Sequence, residues 1–385
     1  MSTAKARRRS RANGGTKIAE KAAATVAAPS DAPPPAPADC ECPHVDTPAG
    51  VKRVSLALQG GGAHGAFTWG VLDRFLEEPR LDFEGLTATS AGAVNAVAFA
   101  HGLRVGGRDG AKAALAELWE RIALCAAVTP FVPSSIERLL PASWRGLGPT
   151  RLLTDFYQRL FSPYQLNPFN YNPVRDVLAQ MIDFEGLRSY CPIRLFLSAT
   201  NVRSGKVRVF TSSEIGIEHV MASGALPQLF QAVEVDGEFY WDGGYMGNPA
   251  IYPLIYHCRS ADVIVVHINP IERPTVPKTA SEIHNRINEI TFNSSMMREM
   301  RAIDFVTRLI DEQRVGGDGL KRMFIHSVEN DAFMQTLSVE TKLDPDWPFL
   351  KKLHDVGYET ADGWLDANFD GIGERSTTDI RARFL

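Results

Sequence analysis

Three short stretches of this 385-residue chain combine residue types that could do chemistry. In Ala88-Thr89-Ser90-Ala91-Gly92 a serine stands among small residues, between a strand candidate and a helix candidate. Small neighbours permit the sharp turn of a nucleophile elbow and leave the hydroxyl exposed. The helix N-terminus that starts there favours developing negative charge. Taken alone, a serine at such a junction also reads as a plain helix cap. Gly60-Gly61-Gly62-Ala63-His64-Gly65 is the second stretch. Glycines let backbone N–H groups approach an anion closely, and a helix start adds positive potential. The same string matches G-x-G-x-x-G, a weak signal for a dinucleotide site by itself. That reading needs an acidic residue at the end of the next strand. Asp82 and Glu84 precede the next strand candidate instead. A tight structural turn is the bland alternative. The third stretch, Asp242-Gly243-Gly244, follows a hairpin candidate at Val233–Trp241 and alone reads as an ordinary turn.

Together the three supply a nucleophile, a base and backbone donors for an oxyanion, the parts an acyl-transfer site needs. A histidine base remains open, because His267 or His326 would complete a Ser, acid, His order. The α/β-hydrolase fold, however, builds several strands before its serine. Ser90 follows only one clear strand. A carboxylate acting directly on the serine fits the spacing better. Its pKa must then be raised by partial burial to be useful near neutral pH.

These residues need a scaffold, and the hydrophobic pattern provides one. Val51–Gln59 alternates around Val54, Leu56 and Leu58, which predicts a strand ahead of the glycines. Helical spacing runs through Ala66–Glu78, Ala91–His101, Ala111–Ala127 and Val174–Ile182. Leu86–Thr89 is a short strand candidate. Ile193–Val202 and Lys206–Thr211 predict a hairpin, Ala261–Ile268 a fully apolar strand, and Met323–Val328 another strand. Ser281–Glu312 predicts a long helix with apolar positions at Ile283, Ile287, Ile290, Ile303, Val306 and Ile310. Strands alternating with helices point to a layered α/β domain. Pro130–Tyr171, rich in Pro and aromatics, reads as an irregular insertion that could cover a site.

Composition narrows the partners. A net charge of −4 gives no electrostatic case for nucleic acid. Residues 1–50 are rich in Ala and Pro, carry seven Lys/Arg against five Asp/Glu, and are expected to be disordered. The cluster Lys5, Arg7, Arg8, Arg9 and Arg11 could touch an anionic membrane or a storage granule, or remain a solvated tail. Five scattered cysteines predict free thiols rather than a disulfide framework. No apolar run reaches the ~18 residues of a membrane span. The expected location is cytoplasmic, with peripheral contact at a membrane surface.

With the motifs GGGAHG, ATSAG and DGG in that order, and Ser223-Gly224-Ala225-Leu226-Pro227 ahead of the aspartate, the chain resembles the patatin-like phospholipase family. The resemblance implies a three-layer α/β/α sandwich with a mainly parallel central sheet. It implies acyl-ester hydrolysis of a lipid by a Ser–Asp dyad, with no metal or other cofactor. Carried over, Ser90 is the nucleophile, Asp242 the base, and the loop Gly60 to Gly65 the oxyanion hole, with the N–H groups of Gly61, Gly62 and Ala63 as donors. Ala88 and Gly92 complete the elbow motif; Gly243 and Gly244 complete the aspartate loop. Two positions depart from the family. Ala88 replaces the first elbow glycine, and His64 stands where the family often has Lys or Arg. The expected organisation is a tail over 1–50, a hydrolase domain over 51–270, and a mostly helical extension over 271–385. The alternatives are a catalytically weak lipid- or granule-binding protein that keeps the pocket, and an intracellular polyester depolymerase.

Overall fold

The computed structural model describes residues 48, 50–128, 162–313 and 320–385. The expected tail, Cys40, Cys42 and residues 130–161 of the expected insertion lie outside the described residues. Among the described residues Cys125, Cys191 and Cys258 form no disulfide.

A mostly parallel sheet organises the chain. β1 (Lys52–Leu58) is central and pairs in parallel with β2 (Leu81–Ala88) on one edge and β7 (Asp262–Val266) on the other. β3 (Arg194–Asn201) extends it beyond β2, and β8 (Phe324–Val328) beyond β7, both in parallel. Three antiparallel strands finish it: β4 (Val207–Thr211), β5 (Val233–Val235) and β6 (Glu238–Asp242).

The period-2 alternation of strands sends side chains into two separate cores. Val54, Leu56 and Leu58 of β1 and Ile264 and Val266 of β7 face one of them. There they meet α1 (Gly65–Glu77), α2 (Ala91–Val128) and α10 (Trp347–Asn368). Ala57, Val263 and Val265 point the other way, toward α7 (Tyr252–His257), α8 (Ala280–Asp311) and α11 (Ile380–Phe384). Helices therefore cover both faces, and the expected three-layer α/β/α architecture is what the chain adopts.

Three elements differ from the expectation. β2 begins at Leu81, because Leu81 and Phe83 are buried while Asp82 and Glu84 alternate toward the other side. Both acids thus sit near the start of β2, away from the glycine loop: Asp82 pairs with Arg53 at 2.7 Å, and Glu84 accepts the N–H groups of Arg259 and Ser260. The dinucleotide alternative fails on that placement. The two expected helices after Ser90 form one element broken at Gly106 and Gly107, the latter left-handed at φ 62. In α8, Ile283, Ile287 and Ile290 are exposed, and the buried stripe is Phe292, Met296, Met300 and Ile303. Both sets have helical spacing, so periodicity alone could not choose the face that meets the sheet.

Three short helices complete the middle of the chain: α3 (Pro163–Leu166), α4 (Pro173–Met181) and α5 (Phe184–Ser189). α6 (Ile217–Ser223) leads into the segment before the aspartate, and α9 (Asp331–Met334) follows β8.

Candidate active site

Ser90 is the residue between β2 and α2. It is buried and holds a left-handed φ of 56, a region where a non-glycine residue is uncommon and strained. Hydrogen bonds hold the turn on every side. The Ser90 N–H donates to Ser223 Oγ at 3.0 Å, and the Ser223 hydroxyl donates to the Ser198 carbonyl at 2.7 Å. Ser90 O accepts from the Val94 N–H, and Thr89 Oγ1 donates to the Gly247 carbonyl. Close packing explains the small residues around it. A side chain at Gly92 would run into the Leu58 carbonyl, and a Cβ at Gly60 would lie 2.6 Å from that of Ser90. Ala88 is fully buried within β2, paired with Leu58 of β1 and Leu197 of β3.

The glycine loop leaves the end of β1 and enters a 3-10 turn, Gly62–His64. It is anchored at its root. The Gly60 N–H donates to Asn248 Oδ1 at 2.7 Å, and Asn269 Nδ2 donates to the Gly60 carbonyl at 2.8 Å. Gly62 is left-handed at φ 60 and abuts the Lys342 carbonyl so closely that any side chain would collide. Among the described residues the N–H groups of Gly61, Gly62 and Ala63 find no acceptor, as expected at the start of a helical turn. His64 is buried, 2.7 Å from Thr341 Oγ1 through Nε2. Burial, and then the neighbouring Lys342 charge, push its pKa down to about 3, so the imidazole is neutral at pH 7. Gly65 packs on Ala91 and Trp119 at the start of α1.

Sheet geometry brings Asp242 to this place. β4 occupies one edge of β3, so β2 and β6 must share the other. β2 ends with Ala88 opposite Leu197, and β6 arrives from the other direction and ends with Asp242 opposite Ala199. Two strands that abut along one edge thus deliver Ser90 and Asp242 to neighbouring positions. The segment Ser223–Pro227 bridges them, since the Asp242 N–H donates to the Ala225 carbonyl at 2.8 Å. Gly243 passes tightly against Ser198 and Thr89, and Gly244 against the Phe292 ring.

The Asp242 side chain is fully buried. Oδ1 accepts the Gly244 N–H at 2.7 Å, whereas Oδ2 is buried without a hydrogen-bond partner among the described residues. Burial pushes this carboxyl up to about 6; the Gly244 N–H, the Ser90 hydroxyl and the Lys342 charge pull it down less strongly.

A cavity of about 250 Å³ opens onto Ser90, Gly62 and Ala63. Its walls include Val94, Ile122, Val220, Leu226, Leu229 and Phe230, an apolar lining suited to a hydrocarbon chain. No histidine is among its described lining residues. His267 is buried against Phe384, with both ring nitrogens unpartnered among the described residues and its pKa pushed down to about 3 by burial. His326 lies between Asp262 and Thr377 in β8. Among the described residues no cluster of three His, Cys, Asp or Glu is arranged to hold a metal ion.

Residues 56–255 match the family described as patatin-like phospholipase. The chain belongs to the patatin-like phospholipase family. As a family member it is a lipid acyl hydrolase, and its substrates are lipids. Its patatin-like region covers both β2 with its serine turn and the Asp242 loop. No curated protein sequence matches the chain. Among solved structures, VipD from Legionella pneumophila is 17% identical over 83% of this chain and 68% of its own, with a TM-score of 0.38. Full-length ExoU with SpcU, from the type III secretion system of Pseudomonas aeruginosa, gives a match 14% identical over 82% of this chain and 53% of the other, at 0.29. Among its described residues no helix is long and apolar enough to cross a membrane.

Four neighbours of the motifs were not expected from the sequence: Asn248, Asn269, Thr341 and Lys342. The Asn248-Pro249 turn just after the aspartate loop is a local signal that could have marked the first. The other three come from distant segments with no pattern of their own.

Proposed function

We propose that this lipid acyl hydrolase works through a Ser90–Asp242 dyad, with the N–H groups of Gly61, Gly62 and Ala63 as its oxyanion hole, in a phospholipase A-like cleavage of a lipid acyl ester. The observation that carries the reading is the half-satisfied carboxylate: buried Asp242 beside the strained Ser90, one oxygen held by the Gly244 N–H and the other without a hydrogen-bond partner among the described residues. Asp242 takes the Ser90 proton as Oγ attacks the ester carbonyl. The loop donors meet the oxyanion, and Asp242 returns the proton to the departing alcohol. Water then repeats the sequence in reverse and frees the fatty acid. The apolar cavity would hold the acyl chain. We also take residues 51–270 as the hydrolase domain and 271–385 as an extension packed on it, a reading supported by β8 in the sheet and α10 against α1.

The test is labelling with a fluorophosphonate, mapping of the modified residue, and turnover of a short-chain ester and a phospholipid by Ser90→Ala. Label on Ser90 and a rate loss of ~10³-fold or more, about 4 kcal/mol in barrier, is expected. Near-native turnover without the hydroxyl would sink the mechanism.

A further inference from the structure

We propose that Lys342, from a segment beyond the family-matched region, is the cationic positioning residue of this site: its ammonium keeps Asp242 a carboxylate and braces the glycine loop from behind. The inference rests on the Ser90–Asp242 reading above.

Lys342 lies in the 3-10 turn Val339–Leu343, which crosses the glycine loop. Its carbonyl is the group that bars any side chain at Gly62. One residue earlier, Thr341 meets His64. The Lys342 ammonium donates to Asn269 Oδ1 at 2.7 Å and Asn288 Oδ1 at 3.0 Å, and lies 5.5 Å from the centre of the Phe292 ring. Asn269 in turn holds the Gly60 carbonyl, and Phe292 is the ring against which Gly244 packs. The charge thus stands between the oxyanion loop and the aspartate turn, and the residue also lines the cavity that holds Ser90.

Both hydrogen-bond acceptors of the ammonium are neutral amides, and no ion pair joins it among the described residues. Glu289 of α8 faces it but is engaged by Arg273 at 2.5 Å and Arg286 at 3.3 Å. The other charged or titratable groups facing it are Arg273 in the loop after β7, Asp242 at the end of β6, and His64 in the glycine loop. His64 is neutral, so the loop brings no charge of its own. A cation held by neutral dipoles is left to act on Asp242 and on an oxyanion at the loop, in surroundings where charge is poorly screened. Burial pushes the Lys342 ammonium down to about 8, with Glu289 and Asp242 opposing, so the charge is lost as pH rises through that value.

The experiment compares kcat/KM from pH 5 to 10 on a soluble ester for the full-length protein, Lys342→Met and Lys342→Arg, with Ser90→Ala in parallel. The native profile should fall below about 6 as Asp242 takes a proton, and above about 8 as Lys342 loses one. Lys342→Met should move the acid limb upward by about half a unit or more and abolish the alkaline limb. Its kcat/KM at pH 7 should drop ~10-fold, with KM little changed. Lys342→Arg should keep the acid limb and push the alkaline limb beyond the range. A merely structural residue would move neither. Unmoved limbs in the Met protein overturn the proposal. If that protein does not fold, an alkaline limb still near 8 in the Arg protein does the same. Turnover by Ser90→Ala would instead overturn the dyad reading on which this rests.

Discussion

Asp242 and Asp262 are both buried carboxylates at strand ends in one sheet, and they are treated in opposite ways. Asp262 opens β7, at the end of the sheet's strands remote from the glycine loop. Its Oδ1 accepts the Gly373 N–H at 2.7 Å and meets His326 Nε2 at 3.0 Å, while His326 Nδ1 lies 2.9 Å from Thr377 Oγ1. That network ties β7, β8 and the C-terminal loop together. Among the described residues Asp242 has one backbone N–H on Oδ1 and no hydrogen-bond partner on Oδ2. A buried polar group left unsatisfied costs free energy, so most buried carboxylates are hydrogen-bonded. A carboxylate with an unsatisfied oxygen beside a strained serine fits the base role proposed for Asp242.

The sharpest way to break the comparison is Asp242→Asn, which keeps the shape but cannot accept a proton. Activity should fall nearly as far as in Ser90→Ala, ~10³-fold, and the double variant should be little worse than either. Stability should move the other way. The folded carboxyl titrates at about 6 against an ordinary 3.8, so ionising it costs stability from pH 3.8 upward, in full above about 6. At pH 7 the Asn protein escapes that cost, on the order of 3 kcal/mol, and should melt higher. Thermal melts beside ester turnover check both. More than a tenth of native activity in a folded Asn protein rules out the base.

Asp262→Asn should show the reverse pattern. Losing the charged partner of buried His326 should destabilise the fold by about 2 kcal/mol. Denaturant titration at pH 7 measures this, while kcat/KM of the folded fraction should stay within about twofold. A large activity loss at unchanged stability would erase the distinction between the two aspartates.

The smallest effect is expected at His64→Gln. A neutral imidazole bonded to Thr341 resembles a neutral amide, so kcat/KM should change by less than about threefold. A larger drop confined to low pH would mean that a protonated His64 contributes charge after all.

Much of the site was legible because its parts are local. A serine between strand and helix with small neighbours, glycines after a strand, and an Asp-Gly-Gly turn each declare a backbone conformation within a few residues. Most strands were equally readable, since Val54, Leu56 and Leu58 alternate and Val263–Val266 is apolar throughout. The start of β2 was missed because Asp82 and Glu84 interrupt an apolar run that alternates once Leu81 and Phe83 are included. The buried face of α8 was missed because two stripes have the same period.

The sequence by itself determined which residue types could do the chemistry, their order, and an α/β scaffold whose first strand leads into a glycine loop. Those are short-range properties of side-chain size, polarity and period. Only the tertiary structure decided that β2 and β6 share an edge of β3, and so that Ser90 meets Asp242. It alone decided that Asn248 and Asn269 anchor Gly60, and that Lys342 stands behind the loop. A single Asn or Lys, hundreds of residues from its partner, leaves no periodic trace. Its position follows from how the helices close over the sheet, and from the need of each buried polar group for a partner.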